Sequence, residues 1–239
     1  MTPVPATGRS VVVTGVGRPG QLGEAVARAF GERGDTVCLV ARARADADAR
    51  VDDLRKAGVD ARAFVCDLAD PSDAERLAHA VRDSVRDVHA LVNLAGGFAM
   101  SGPVAASDPG VLAAQYAVNV ATAYAATRAF LPALRATRGA VVFVASAAAL
   151  PGARVKGVSA YAMAKTAVLT LMRAVAQEER ANGVRANAVA PGSIRTAANL
   201  GAMPDGTRYV EREDVAAEIV HLCSDTSRAV TGQVIELAP

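Results

Sequence analysis

Tyr161 and Lys165, joined by Ala-Met-Ala, carry the most informative chemistry in this sequence. They lie near the start of an expected helix, where an i, i+4 spacing sets two side chains on one face. A phenol has a pKa of about 10, too high for an efficient base at neutral pH. A neighbouring ammonium favours the phenolate, so Lys165 is expected to lower the pKa of Tyr161. Ser146 follows the apolar run Val141–Ala145 and would sit at the C-terminal end of a strand, where its hydroxyl could hold a substrate carbonyl. Asn119 falls inside a long Ala-rich helical pattern, a position for which its propensity is mediocre. It is either a packing amide satisfied by its neighbours or an anchor for a water near the lysine. Together these residues point to proton transfer at an oxygen.

A second constellation precedes them. The first apolar run passes into Thr14-Gly15-Val16-Gly17-Arg18-Pro19-Gly20-Gln21-Leu22-Gly23, and an amphipathic helical pattern follows. Gly15-x-Gly17-x-x-Gly20 in that context is the fingerprint of a dinucleotide turn. Glycines let the backbone approach a pyrophosphate, and the helix N-terminus offers unpaired N–H groups. The second expected strand ends in Val40-Ala41-Arg42. Ala41 cannot hold ribose hydroxyls as an acidic residue would, whereas Arg42, assisted by Arg18, could pair with a 2′-phosphate. NADP(H) is therefore expected over NAD(H), and the positive nicotinamide would further favour the Tyr161 phenolate. Asp67 and Leu68 close the third strand, with Asp67 either reaching the adenine edge or capping a helix. Asn93-Leu94-Ala95-Gly96 closes the fourth, at the edge where ligands collect in open parallel sheets.

The elements that must position these residues alternate along the chain. Strands are expected at Ser10–Thr14, Thr36–Ala41, Ala61–Cys66, Ala90–Asn93, Ala140–Ala145, Arg185–Val189 and Gln233–Leu237. Most are continuous apolar runs, as strands covered on both faces should be. Helical patterns begin at Leu22, cover Asp46–Lys56, and open again at Asp70-Pro71-Ser72. Others cover Pro109–Arg135, Ala160–Asn182 and Glu213–Cys223. This alternation implies right-handed crossovers and an α/β, Rossmann-type, doubly wound and mainly parallel seven-stranded sheet with helices on both faces. One domain over residues 1–239 is the economical reading, with residues 1–8 a flexible N-terminus.

Composition narrows the function classes. The net charge of +2, with no Lys/Arg block and no Trp, offers no footprint for nucleic acid. Cys38, Cys66 and Cys223 are far apart, as are His79, His89 and His221, so neither disulfide nor metal spacing is present. Residues Met1–Arg9 lack the charged-then-apolar pattern of a signal peptide, and no apolar run approaches a membrane span. A cytoplasmic protein with reduced thiols is expected.

The motifs, in their order, resemble the single-domain branch of the short-chain dehydrogenase/reductase family from about Arg9 to Leu237. They are Thr14-Gly15 with its glycine turn, Asp67, Asn93-Leu94-Ala95-Gly96, Asn119, Ser146, Tyr161-x-x-x-Lys165, and Pro191-Gly192-Ser193-Ile194-Arg195-Thr196. The resemblance implies an NAD(P)(H)-dependent enzyme acting on a small carbonyl or alcohol. Tyr161 would be its acid or base, and Lys165 would hold the nicotinamide ribose. Ser146 would orient the carbonyl, and Asn119 would anchor the relay water. Cofactor contacts would come from Gly15, Gly17, Arg18, Gly20, Leu22, Arg42, Asp67, Leu68, Asn93, Ala95, Gly96, Pro191, Gly192, Ile194 and Thr196, together with Tyr161 and Lys165. A homo-oligomer, dimer or tetramer, is implied as well.

Three departures mark this chain within the resemblance. Its glycine turn is longer than usual, its Ser146–Tyr161 loop is enlarged and carries Arg154 and Lys156, and the segment between Thr196 and Glu213 is short. The stretch Asn199–Asp205 is reminiscent of dihydropteridine reductases. A 3-oxoacyl thioester or another ketone is the expected substrate. A pteridine-type reductase and a non-catalytic dinucleotide sensor are the alternatives.

Overall fold

The structure, a computed structural model, describes residues 7–239. Seven strands form one parallel sheet: β1 (Ser10–Thr14), β2 (Thr36–Ala41), β3 (Ala61–Val65), β4 (Ala90–Asn93), β5 (Ala140–Val144), β6 (Arg185–Pro191) and, last in the chain, Val234–Leu237. Their spatial order is β3-β2-β1-β4-β5-β6 followed by the last strand, with every pairing parallel. The order reverses between β1 and β4, which opens a crevice at the strands' C-terminal ends.

Strand alternation sends apolar side chains to both faces. On β1, Val12 packs into one core while Val11 and Val13 enter the other; on β5, Val141 and Phe143 face away from Val142. The first core is covered by α3 (Pro71–Ser84), by the helical stretch after β4 and by α6 (Ser159–Glu178), through Leu77, Phe130, Leu134, Val168 and Met172. The second is covered by α1 (Leu22–Gly31), α2 (Arg44–Lys56) and α8 (Arg212–Cys223), through Val26, Phe30, Leu54 and Ile219. Each apolar helix face thus has a sheet face to bury against, as the continuous apolar strands require. Asp70 caps α3 by accepting from Ser72 N, with Pro71 in the first turn as expected.

Four details differ from the sequence reading. The expected helix Pro109–Arg135 is interrupted: α4 (Pro109–Tyr116) and α5 (Thr122–Thr137) are joined by a π-helical segment, Ala117–Ala121, which contains Asn119. β3 and β5 stop one residue short, at Val65 and Val144, and β6 runs on to Pro191. The short segment after Thr196 is structured, with α7 (Ala197–Ala202) flanked by a two-stranded pair, β7 (Ile194–Arg195) and β8 (Val210–Glu211). With those two strands introduced, the sheet's last strand is β9. Of the expected flexible N-terminus, residues 1–6 lie outside the described residues. Thr7 is tied down, its N–H bonding Gly34 O at 3.0 Å.

Candidate active site

The crevice at the ends of β1, β4, β5 and β6 holds a cleft of about 210 Å³, and Tyr161, Lys165 and Ser146 all line it. Ser146 stands just past β5, with its Oγ accepting from Ala148 N at 3.2 Å. That bond uses a lone pair and leaves the hydroxyl proton free. Tyr161 and Lys165 share the first turns of α6, so the helix presents both toward the end of β5. The Ser146 hydroxyl neighbours the Tyr161 phenol and acts to lower its pKa. Lys165 Nζ donates to Val144 O at 2.9 Å and lies 5.8 Å from the centre of the Tyr161 ring.

The electrostatics depart from the simple expectation. Burial pushes the Tyr161 phenol up, opposed by the polar hydroxyl of neighbouring Ser146. Burial also pulls Lys165 down, from 10.5 to about 8. Desolvation dominates both shifts, Lys165 being buried and Tyr161 half-buried at the cleft wall. Tyr161 is therefore held as the neutral phenol, while Lys165, lowered to about 8, still carries its proton at neutral pH.

Asn119 is buried, and its amide is committed to backbone. Nδ2 donates to Gly97 O at 2.9 Å and Gln115 O at 3.0 Å, and Oδ1 accepts from Gly97 N at 3.2 Å. It straps the loop that follows β4 to the π-helical turn, which accounts for an amide at a poor helical position. A Cβ on Gly96 would stand 2.7 Å from Asn119 Oδ1 and 3.4 Å from Lys165 Nζ, so Gly96 is the close contact that lets amide and ammonium approach.

The glycine turn divides its work. Gly15 has φ +75°, and a Cβ there would lie 2.7 Å from Ala95 Cα, so this glycine lets β1 and β4 meet. Thr14 completes that joint by accepting from Leu94 N and Ala95 N, both at 3.0 Å. Gly20 is also left-handed; its N–H is taken by Glu24 Oε2 at 2.7 Å, and its carbonyl accepts from Ala197 N at 3.0 Å. Gly17 backs onto Asp46. The turn residue that lines the cleft is Leu22, at the start of α1, where Gln21 supplies no side-chain cap. The first-turn N–H groups of α1 are thus uncapped beside the cleft, in the way an incoming phosphate requires.

Other expected contacts are placed unevenly. Gly96, Pro191, Gly192 and Ile194 line the cleft. Arg18 and Arg42 are exposed, and neither is ion-paired among the described residues. Asp67 is exposed and accepts from Ala69 N at 3.1 Å, whereas the Leu68 side chain is buried in the core. The Asn93 side chain turns away to Thr127 Oγ1 at 2.8 Å, with its own Oδ1 buried and unpartnered. Ala95 packs against Gly15 and is not among the cleft residues. Thr196 is buried and spends its hydroxyl capping α7, accepting from Asn199 N at 3.3 Å. The side chains of Leu68, Asn93, Ala95 and Thr196 are therefore used in packing or capping.

Six cleft residues lie outside the expected contacts: Leu94, Gly97, Phe98, Val144, Ala145 and Asn199. Phe98 meets Tyr161 edge-on, with ring centroids 5.0 Å apart. Leu94 lines the wall in place of its neighbours Asn93 and Ala95. Asn199 reaches the cleft from α7, held by a bond from Nδ2 to Ile194 O at 2.8 Å. No periodicity marks loop residues. The only available signal was their nearness to motif glycines and to Ile194.

Residues 9–205 match the short chain dehydrogenase family, and the chain belongs to it. It is an NAD(P)-dependent short-chain dehydrogenase/reductase. Among its relatives, an uncharacterized oxidoreductase of Mycobacterium tuberculosis is 32% identical, over 95% of this chain and 89% of the relative. A galactitol 2-dehydrogenase (L-tagatose-forming) of Cereibacter sphaeroides is 33% identical, over 95% of this chain and 92% of its own length. The crystal structure of a short-chain dehydrogenase/reductase from Burkholderia xenovorans superposes with a TM-score of 0.85 at 32% identity, over 96% and 94% of the two chains.

Proposed function

We propose that this enzyme reduces a ketone with NADP(H), used in preference to NAD(H), or runs the reverse oxidation of the alcohol. The observation that carries the reading is the convergence of Tyr161, Ser146 and Lys165 on one cleft beside the uncapped start of α1. In reduction, the dinucleotide supplies the hydride to the carbonyl carbon. Tyr161 gives its phenolic proton to the carbonyl oxygen, a proton that burial keeps on the phenol until it is needed. The free Ser146 proton orients that oxygen and stabilises its developing charge. Lys165 is fixed by Val144 O and returns a proton to Tyr161 through a water held by Asn119.

The exposed, unpaired guanidiniums of Arg42 and Arg18 support a 2′-phosphate at the end of β2. Apolar side chains left exposed on the cleft side, Phe98 at its wall with Met100, Val155 and, on α7, Leu200, favour a ketone with an apolar body. Arg154 and Lys156 on the same loop suit the anionic carrier of a 3-oxoacyl thioester. The same reading makes the chain one dinucleotide-binding domain and a cytoplasmic protein, in keeping with its three buried free thiols. It assembles as a homo-oligomer, a dimer or tetramer, for which exposed Leu112, Tyr116, Tyr124 and Met163 on α4, α5 and α6 offer an apolar surface.

The test is to follow NADPH and NADH oxidation separately over simple ketones, diketones and 3-oxoacyl thioesters, with wild type and Arg42→Ala. Turnover is expected with NADPH first, with the preference over NADH falling about tenfold in the variant. An unchanged preference in Arg42→Ala contradicts the cofactor assignment, and absence of turnover with every ketone contradicts the substrate class.

A further inference from the structure

A second and larger cavity, about 400 Å³, opens at the opposite end of the sheet. Its walls come from residues just before the parallel strands begin: Arg9 ahead of β1, His89 ahead of β4, Arg138 ahead of β5, and Arg185 at the start of β6. Arg228, from the turn before β9, completes the lining. Four arginines therefore line one concavity in which the only lining carboxylate is Asp225. We propose that this cavity is a binding site for a small phosphate-bearing anion.

The site is built rather than incidental. Arg185 is held by the carbonyls of Leu222 at 2.7 Å and Ser224 at 3.1 Å, and Arg9 by Cys223 O at 2.8 Å and Asp225 at 3.0 Å. Their positions are thus fixed whether or not an anion is present. Arg138 is the one non-glycine among the described residues with a left-handed backbone, φ 50°. Its aliphatic stem lies on Gly183, where a Cβ would come within 3.2 Å of Arg138 Cγ. That conformation closes α5, with Arg138 as its left-handed C-cap, and so fixes where the side chain leaves the helix.

The donors that remain free are those an anion would use. Neither the Arg138 nor the Arg228 guanidinium donates to any described residue. His89 Nδ1 accepts from Ser10 N at 3.2 Å, which assigns the proton of the neutral ring to Nε2 and makes that nitrogen a donor. Burial and Arg9 hold His89 below its ordinary pKa, so the ring donates without adding a further repelling charge. A concave site lined by one sign of charge focuses its field, and the planar guanidinium forks match the oxygens of phosphate. The volume admits a phosphomonoester as well as the free ion. The inference does not depend on the proposed reaction, since the whole sheet separates the two cavities.

Titration calorimetry with inorganic phosphate and, separately, glycerol 3-phosphate tests it, in chloride at constant ionic strength. One-site binding is expected. It should weaken at least about tenfold in Arg138→Gly and in Arg228→Gln and stay within about twofold in Arg42→Gln. Arg138→Gly removes the guanidinium while relieving the left-handed strain, so its melting temperature should hold or rise, and lost binding cannot be put down to unfolding. Tighter binding of glycerol 3-phosphate assigns the site to a phosphomonoester, and equal binding assigns it to free phosphate. No heat with wild type up to about 10 mM ligand overturns the proposal. Binding that survives both arginine substitutions, or that is lost only in Arg42→Gln, overturns it too.

Discussion

Lys165 sits under two opposing demands, since a charged side chain suits the phenolate beside it and burial disfavours the charge. Burial prevails, bringing its pKa from 10.5 to about 8. The unfolded chain then holds this proton more tightly than the folded one, so the lysine's contribution to stability is smallest below pH 8. It rises as pH increases from about 8 toward 10.5. Denaturant titrations of wild type and Lys165→Met should therefore diverge over that window, wild type gaining about 3 kcal/mol relative to the variant. Parallel curves would show that Lys165 keeps an ordinary pKa. Tyr161, Lys165 and Ser146 were legible in the sequence because a helical i, i+4 spacing and a strand end dictate where such side chains go. The direction of the Tyr161 shift was not, because burial depends on Phe98 and on loops that share no sequence pattern with the dyad.

At the scale of elements, the long turn between β1 and α1 is a joint as much as a cradle. Gly15 lets the chain pass Ala95, while Gly20 links Glu24 of α1 to the first residue of α7. Gly15→Ala must adopt φ +75° and place a methyl 2.7 Å from Ala95 Cα. It should cost at least about 2 kcal/mol in urea unfolding and weaken dinucleotide binding as well. A variant as stable as wild type would mean that the joint yields freely. The turn's glycines were plain in the sequence, but their separate tasks were not, since each depends on a partner far along the chain. The break in the helix at Asn119 was equally hidden, because Ala117–Ala121 has the same small, apolar character as the helices around it. α7 and the pair β7 and β8 are too short for any period to show.

For the whole molecule, two cores on either side of one sheet hold the crevice open at the reversal between β1 and β4. Phe130 is fully buried where α5 meets the sheet, so Phe130→Ala should cost about 3–5 kcal/mol and lower the melting temperature by roughly 6–20 °C in a calorimetric scan. A drop of only a degree or two would place that ring outside the core. This architecture was the most legible feature of all, since continuous apolar strands alternating with amphipathic helices admit few other solutions. The central claim is that the fold delivers Tyr161 to a bound dinucleotide and a carbonyl as the group that moves the proton. Tyr161→Phe tests it most directly, through kcat/KM with the preferred ketone and the dinucleotide Kd measured on the same preparation. The account predicts a fall in kcat/KM of about 100- to 10,000-fold with Kd changed by no more than about threefold. Near-wild-type turnover in Tyr161→Phe would contradict it.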